Sequence, residues 1–164
     1  MINYESGDIL DWADKVDVIG HQVNCFGVMG GGLALQIANK WPQVLTEYRS
    51  YIKKCLEIAT RNNLLGTCHA VEIKGRKKCW IANIFGQYDV GGGLQTNYEA
   101  LHKALKHLKR IMDAYGLTSI ALPVRLGCGL AGGDWNVVLA MIDDVFGKST
   151  IQVTLVKFNP ETKK

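Results

Sequence analysis

No apolar stretch of the 164-residue chain approaches the ~18–20 residues that cross a bilayer, so neither a transmembrane helix nor a membrane partner is expected. The opening residues, "MINYESGDILDW", carry acids where a secretory leader would carry a basic stretch running into an apolar one. Without a targeting segment, the cytoplasm is the expected compartment. The five cysteines (Cys25, Cys55, Cys68, Cys79 and Cys128) are odd in number and never spaced as CxxC. That argues against a disulfide framework and against structural zinc, and the thiols read as reduced and mostly buried. No metal-ligand cluster is visible, so neither a metal nor a cofactor is expected. Repeats, low-complexity tracts and linkers are also missing. The chain is therefore expected to form one domain over residues 1–158, with a short tail at 159–164. The net charge of +4 suits a small anionic ligand but falls short of a nucleic-acid footprint, so nucleic acid is not an expected partner.

What is present alternates. Residues 16–23, "VDVIGHQV", form a β-branched run typical of a buried strand. Leu33, Ile37 and Trp41 then fall on one helical face, and residues 44–59 give a second helix beyond Pro42. Residues 67–74 and 79–85 read as strands joined by the basic turn "KGRKK". Residues 96–115 form the clearest helix, with capping-box order at Thr96-Asn97-Tyr98-Glu99 and a stop at Gly116. Residues 119–123 give a short strand. Asp134 can cap a helix carrying Trp135, Val138, Leu139, Ile142 and Val145 inward, and residues 151–158 close the chain as a strand. Alternation of this kind predicts an α/β architecture whose mostly parallel or mixed sheet is covered on both faces. In such sheets ligands bind outside the carboxyl ends of the strands.

The glycines mark that edge. Twelve of the 18 lie in three loops, at 27–32, 86–93 and 127–133, each following an expected strand and leading into a helix. If those strands are parallel neighbours, the loops meet. Glycine lets backbone N–H groups approach a ligand closely, and a helix N-terminus adds partial positive charge. Together these favour an anion, most naturally phosphate. Tight turns and close helix–sheet packing would also use glycine, but three loops on one edge favour the site. A Walker A string is absent. GxGxxG occurs as Gly127-Cys128-Gly129-Leu130-Ala131-Gly132, yet only one strand follows it and that strand ends without an acid for a ribose. The phosphate loop stands; the nicotinamide reading does not.

"GDIL" near the N-terminus, "HQVNCFGVMGGGLA" after the second strand and "LGCGLAGGDW" before the last helix together resemble the macrodomain family, the ADP-ribose-binding α/β module. The resemblance covers nearly the whole chain in order. It implies a three-layer α/β/α fold with a central mixed, mostly parallel sheet. "GHQVNCFGVMGGGLALQIANKWPQVLTEY" followed by "NLLGTCHAV" is especially similar to the branch of ADP-ribose 1″-phosphate phosphatases. The implied ligand is ADP-ribose or a derivative, including ADP-ribose carried on a macromolecule. Asp8, between Gly7 and Ile9, would accept from the adenine amino group. Asn24 would hold distal-ribose hydroxyls, and Gly30, Gly31, Gly32 and Leu33 would line the path to the distal phosphate. Leu126, Gly127, Cys128, Gly129, Leu130, Ala131 and Gly132 would wrap the diphosphate, with Phe85 and the loop after it flanking the ligand. His21 matches a histidine proposed to act in the phosphatase branch.

Two departures bear on activity. After Asn24 the loop reads "CFG", unlike the Asn-Ala-Ala-Asn type common in ester hydrolases of the family. The branch acting on glutamate-linked ADP-ribose uses a lysine and an aspartate where this chain has the "FGQ" region and Ala131. A lysine-adduct mechanism is therefore not carried over. Removal of the 1″-phosphate is the leading activity; hydrolysis of an ADP-ribosyl or acetyl ester, and binding without turnover, stay open.

The individual side chains have double readings. His21, near the end of a buried strand, is either a core histidine or a general base or acid with a pKa near neutrality. Asp134 is first an N-cap, though it could also orient a water. Cys25 and Cys128 lie in ligand loops, but no activating base stands near either in sequence. The lysines of the long helix read as a solvated face.

Overall fold

The computed structural model describes residues 2–163; Met1 and Lys164, the two ends of the expected domain and tail, lie outside the described residues. Strands β1 (Ile2–Gly7), β2 (Val18–Val23), β3 (Cys68–Ile73), β4 (Cys79–Phe85), β5 (Ser119–Pro123) and β6 (Gln152–Phe158) form one sheet in the order β1-β6-β5-β2-β4-β3. Every pairing is parallel except β3 with β4, which the basic turn joins as an antiparallel hairpin. Helices α1 (Gly32–Lys40) and α2 (Pro42–Ile58) cover one face, and α3 (Tyr98–Tyr115) and α4 (Trp135–Phe146) cover the other. The chain thus has the three-layer α/β/α fold, with a mixed and mostly parallel sheet at its centre.

The two cores follow from strand alternation. On β2, Val18 joins Leu101, Leu105, Met112 and Phe146 of the α3–α4 layer, while Ile19 and Val23 join Ile37, Val44, Tyr48 and Ile52 of the α1–α2 layer. Each side chain of this size, fully buried, contributes about 1.5–3 kcal/mol. Central strands buried on both faces read as continuous apolar runs, which is why β2, β4 and β5 are conspicuous in the sequence. Strand β1 carries no such signal. It pairs with β6 alone, and Asn3, Tyr4, Glu5 and Ser6 are exposed.

Helix ends differ from expectation in two places. The N-cap of α3 is Asn97, whose side chain accepts from the Ala100 N–H at 3.0 Å, rather than Thr96 in a capping box with Glu99. Thr96 is diverted because its hydroxyl donates to the Gly127 carbonyl at 2.5 Å. Trp41 is the C-cap of α1 while its side chain packs on the same core as Leu33 and Ile37, and Pro42 opens α2 in its first turn, where no N–H is needed. Gly116 ends α3 in the left-handed conformation, and Asp134 caps α4 by accepting from the Asn136 N–H at 2.9 Å. The expected tail forms a 3-10 turn, Pro160–Lys163, and Asn159 ahead of it donates its N–H to the Gly7 carbonyl. Among the described residues no helix is long and apolar enough to cross a membrane.

Candidate functional site

Strands β5, β2 and β4 are consecutive and parallel, so the segments leaving their carboxyl ends emerge side by side. They also touch. The Cys25 N–H donates to the Tyr88 carbonyl at 2.9 Å, and the Gln95 and Thr96 N–H groups donate to the Ala131 carbonyl at 2.8 and 3.2 Å. The Phe26 and Tyr88 rings meet edge to face, 5.2 Å apart. The glycine loops therefore assemble into one site.

The first loop is shaped by side chains from below it. Asn24 is buried, and its Oδ1 accepts from the Phe26 and Val28 N–H groups at 3.0 and 3.3 Å and from the Tyr48 hydroxyl at 3.0 Å. Its Nδ2 donates to the Val28 carbonyl at 2.7 Å. The Tyr48 hydroxyl also contacts the Asn24 carbonyl, Arg61 donates to the Cys25 carbonyl at 2.8 Å, and Arg49 donates to the Gly27 carbonyl at 2.9 Å. Three donors, Tyr48 and Arg49 from α2 and Arg61 just beyond it, hold carbonyls of the segment and fix the path of the loop. Sequence spacing presents Tyr48 only as a core position of α2, so this clamp was not legible beforehand.

Beyond the clamp, exposed Gly30 leads to Gly31, the N-cap of α1, which supplies no side-chain hydrogen bond. The first N–H groups of Gly32, half-buried Leu33 and their successors have no intrahelical acceptor and carry the positive end of the helix dipole. The first and third loops also meet here, where the tip of the Leu130 side chain, 76% exposed, reaches across to within 2.9 Å of the Cβ position of Gly31.

The third loop is a chain of tight turns. The Cys128 N–H donates to the Arg125 carbonyl, Gly132 to Gly129 and Gly133 to Gly127, at 2.8, 3.1 and 2.9 Å. Arg125, which adopts φ +68°, donates its guanidinium to the Cys128 carbonyl at 2.9 Å. Leu126, Cys128 and Ala131 point inward and are buried, while Gly129 and Gly132 are exposed. Asp134 follows, with its side chain in the α4 cap and its N–H donated to the Tyr98 hydroxyl.

Asp8 lies at the far end of the same edge. It is buried and accepts from the Leu10 N–H at 3.0 Å, starting the 3-10 turn Ile9–Asp14 that buries Ile9. Gly7, ahead of it, is in register with Phe158, whose ring is 55% exposed. Nothing in the periodicity of β6 distinguishes Phe158 from an ordinary strand end. Phe85 lies apart from the cleft. Its ring is fully buried against Tyr48 and Tyr51, so Gln87 and Tyr88 flank the edge instead.

His21 is buried within the sheet, and its Nε2 lies 2.7 Å from Asn83 Oδ1. An amide oxygen only accepts, so Nε2 holds the proton and Nδ1 is the basic nitrogen; Nδ1 has no partner. Burial lowers the pKa to about 4, only partly offset by the Asn83 bond. The near-neutral pKa expected of this residue is therefore corrected: the imidazole is neutral at pH 7 and cannot act as a general acid. The loop thiols are unsuited to nucleophilic attack. Burial pushes the Cys25 thiol up to about 12 against the opposing Arg61 charge, and burial likewise raises Cys128. A thiol reagent applied to the folded protein at neutral pH should modify half-buried Cys55 well before Cys25 or Cys128. Peptide mass mapping would read the order, and early modification of either loop thiol would contradict the assignment.

Fold and loops together define an α/β module in which three glycine-rich loops meet at the carboxyl edge of a parallel sheet. The Macro domain family model matches residues 21–142, and the chain belongs to that family. It is 30% identical over 144 residues to the DNA ADP-ribosyl glycohydrolase of Mycobacterium tuberculosis, covering 84% of this chain and 36% of that protein. The chain thus spans about a third of the length of this curated relative. It is 26% identical to the ADP-ribose 1″-phosphate phosphatase of Candida albicans, across 83% of this chain and 88% of that one. The solved macrodomain of Mycobacterium tuberculosis DarG superposes with a TM-score of 0.80 at 26% identity, covering 96% of this chain and 97% of that one.

Proposed function

We propose that the chain binds ADP-ribose and hydrolyses an ADP-ribose derivative, with ADP-ribose 1″-phosphate as the leading substrate. The observation that carries this reading is the convergence of three glycine loops on the carboxyl edge of β5, β2 and β4. In this reading Asp8 takes the adenine amino group, with Ile9 and the Phe158 ring beside the base. The loop of residues 126–132 holds the diphosphate through the N–H groups that its turns leave uncommitted, those of Gly127, Gly129, Leu130 and Ala131, and Asn24 with Gly30, Gly31 and Gly32 borders the distal ribose and its phosphate. Water attacks phosphorus and gives up a proton, the bond from phosphorus to the 1″ oxygen breaks, the leaving 1″ oxygen takes up a proton from solvent to become the hydroxyl of ADP-ribose, and backbone donors stabilise the charge that develops on the phosphoryl oxygens. His21 stands behind the first loop with Nδ1 buried and only weakly basic at a pKa of about 4, so its part in this reading is to hold the strand end against Asn83 rather than to take the proton of that water. Asp134, at the end of the diphosphate loop, is the candidate to orient the water. The phosphatase and glycohydrolase relatives support hydrolysis of this ligand class.

Removal of ADP-ribose from a macromolecule is the second reading. Phe26, Val28, Tyr88, Val90, Leu94 and Leu130 are all exposed on the three loops, forming an apolar rim suited to a larger substrate. Titration calorimetry with ADP-ribose is expected to give micromolar binding, and no heat at high micromolar ligand would end both readings. Incubation with ADP-ribose 1″-phosphate, O-acetyl-ADP-ribose, ADP-ribosylated protein and ADP-ribosylated DNA then separates the activities. Phosphate release from the first is the expected result. Binding with none of the four consumed would leave a reader in place of an enzyme.

A further inference from the structure

The side chain of Gln22, between His21 and Asn24, leaves the opposite face of the sheet from His21 and runs beneath the second and third loops. Its Nε2 donates to Gln87 Oε1 and to Thr96 Oγ1, both at 2.9 Å. Gln87 and Thr96 are themselves a bridged backbone pair that closes the base of the second loop. Each acceptor is committed to a donation of its own. Gln87 Nε2 donates to the Asp89 carbonyl at 2.8 Å, and the Thr96 hydroxyl donates to the Gly127 carbonyl at 2.5 Å. These onward bonds set the polarity of the network and leave Gln22 only its donor role.

The glycines complete the seat. A Cβ on Gly86 would come 2.4 Å from Gln22 Oε1, and a Cβ on Gly127 would come 2.8 Å from the same atom. The amide is therefore wedged between the first glycine of the second loop and the first glycine of the third. Gln22 Oε1 is buried and accepts no hydrogen bond. A leucine here would spare the chain that unpaired acceptor, but it would hold neither loop.

We propose that Gln22 is a positioning residue, setting the spacing of the second and third loops and thereby the shape of the diphosphate cradle. It acts through Gln87, Thr96 and Gly127 rather than on the ligand. The consequence for binding rests on the ADP-ribose reading; the coupling between the loops does not. In Gln22→Met, which keeps the length and bulk of the side chain without its hydrogen bonds, amide hydrogen exchange should quicken about tenfold in both residues 86–97 and 127–133. Exchange in α2 should stay as in the parent. Thr96→Val, which removes one branch and the link to Gly127, should show the same paired response and serves if Gln22→Met fails to fold. In both variants the ADP-ribose Kd should rise about tenfold, while turnover of whichever derivative the parent consumes keeps its kcat within about twofold. Unchanged exchange, or a change confined to one loop, would overturn the coupling. Paired exchange with an unaltered Kd would overturn its role in binding. A parent that does not bind ADP-ribose would refute the functional reading and leave the exchange result to decide the coupling.

Discussion

Gly132→Val is expected to abolish ADP-ribose binding. Gly132 has φ +72°, and a Cβ there would lie 2.7 Å from the Gly93 carbonyl oxygen and 3.4 Å from Leu94 Cα. Both are backbone atoms that cannot rotate aside as a side chain would. A β-branched residue in the left-handed region costs about 1–2 kcal/mol by itself, and the backbone overlap brings the total to about 3 kcal/mol. That corresponds to at least a ~100-fold loss of affinity if the strain is relieved by moving the loop. If the strain stays in the folded state instead, the melting temperature should fall by about 6–12 °C. Gly129→Ala is the matched control, because a Cβ at Gly129 meets nothing within 4 Å. It should stay within about 0.5 kcal/mol of the parent in stability. Calorimetry and thermal denaturation of the pair decide the matter. Parental affinity and melting temperature in Gly132→Val would show that this turn does not shape the site.

Acid should destabilise the fold through His21 by about 3 kcal/mol. Its folded pKa, about 4, lies below the ordinary value of 6.5 because burial disfavours the charged ring. Between those values the unfolded chain holds the extra proton, so stability rises with pH across the window and is complete above it. His69 and His107 are lowered as well, chiefly by burial, and act in the same direction. Asp17 adds to the acid sensitivity: burial tends to raise its carboxyl, but Lys77 and the Thr118 and Ser119 donors outweigh this and hold it low. Comparison with His21→Gln isolates the one group. Urea denaturation at pH 7 and pH 4 should show the parent losing about 3 kcal/mol more than the variant. Equal losses would mean that the imidazole is not held neutral by its surroundings. The same comparison bears on catalysis, since a ring neutral at pH 7 lacks the second proton that an imidazolium would donate as a general acid.

Much of the site was legible because its signal is local. A glycine triplet against a helix start, a β-branched run ahead of it and a second glycine loop ahead of Asp134 are all properties of short segments. Local chemistry dictates their backbone. The α/β class followed from alternation, and the meeting of the loops followed from the conditional step that their strands are parallel neighbours. Long-range contacts left no such trace. Strand β1 is nearly silent because an edge strand need not be apolar. Tyr48 looks like any inward residue of α2, yet its hydroxyl holds the Asn24 loop. Thr96 looks like a helix cap and is instead a link to Gly127.

The chain's own residue order therefore determined the alternating elements, the three glycine loops and the common sheet edge at which they meet. Tertiary structure alone decided how those parts act. It placed His21 against Asn83 and withdrew its charge, committed the Asn24 side chain to its own loop, and set Gln22 between two glycines more than forty residues apart in the chain. The physical reason is the same in each case. Backbone conformation depends on neighbours in sequence, whereas desolvation and hydrogen-bond partnership depend on neighbours in space, and those exist only once the sheet has formed.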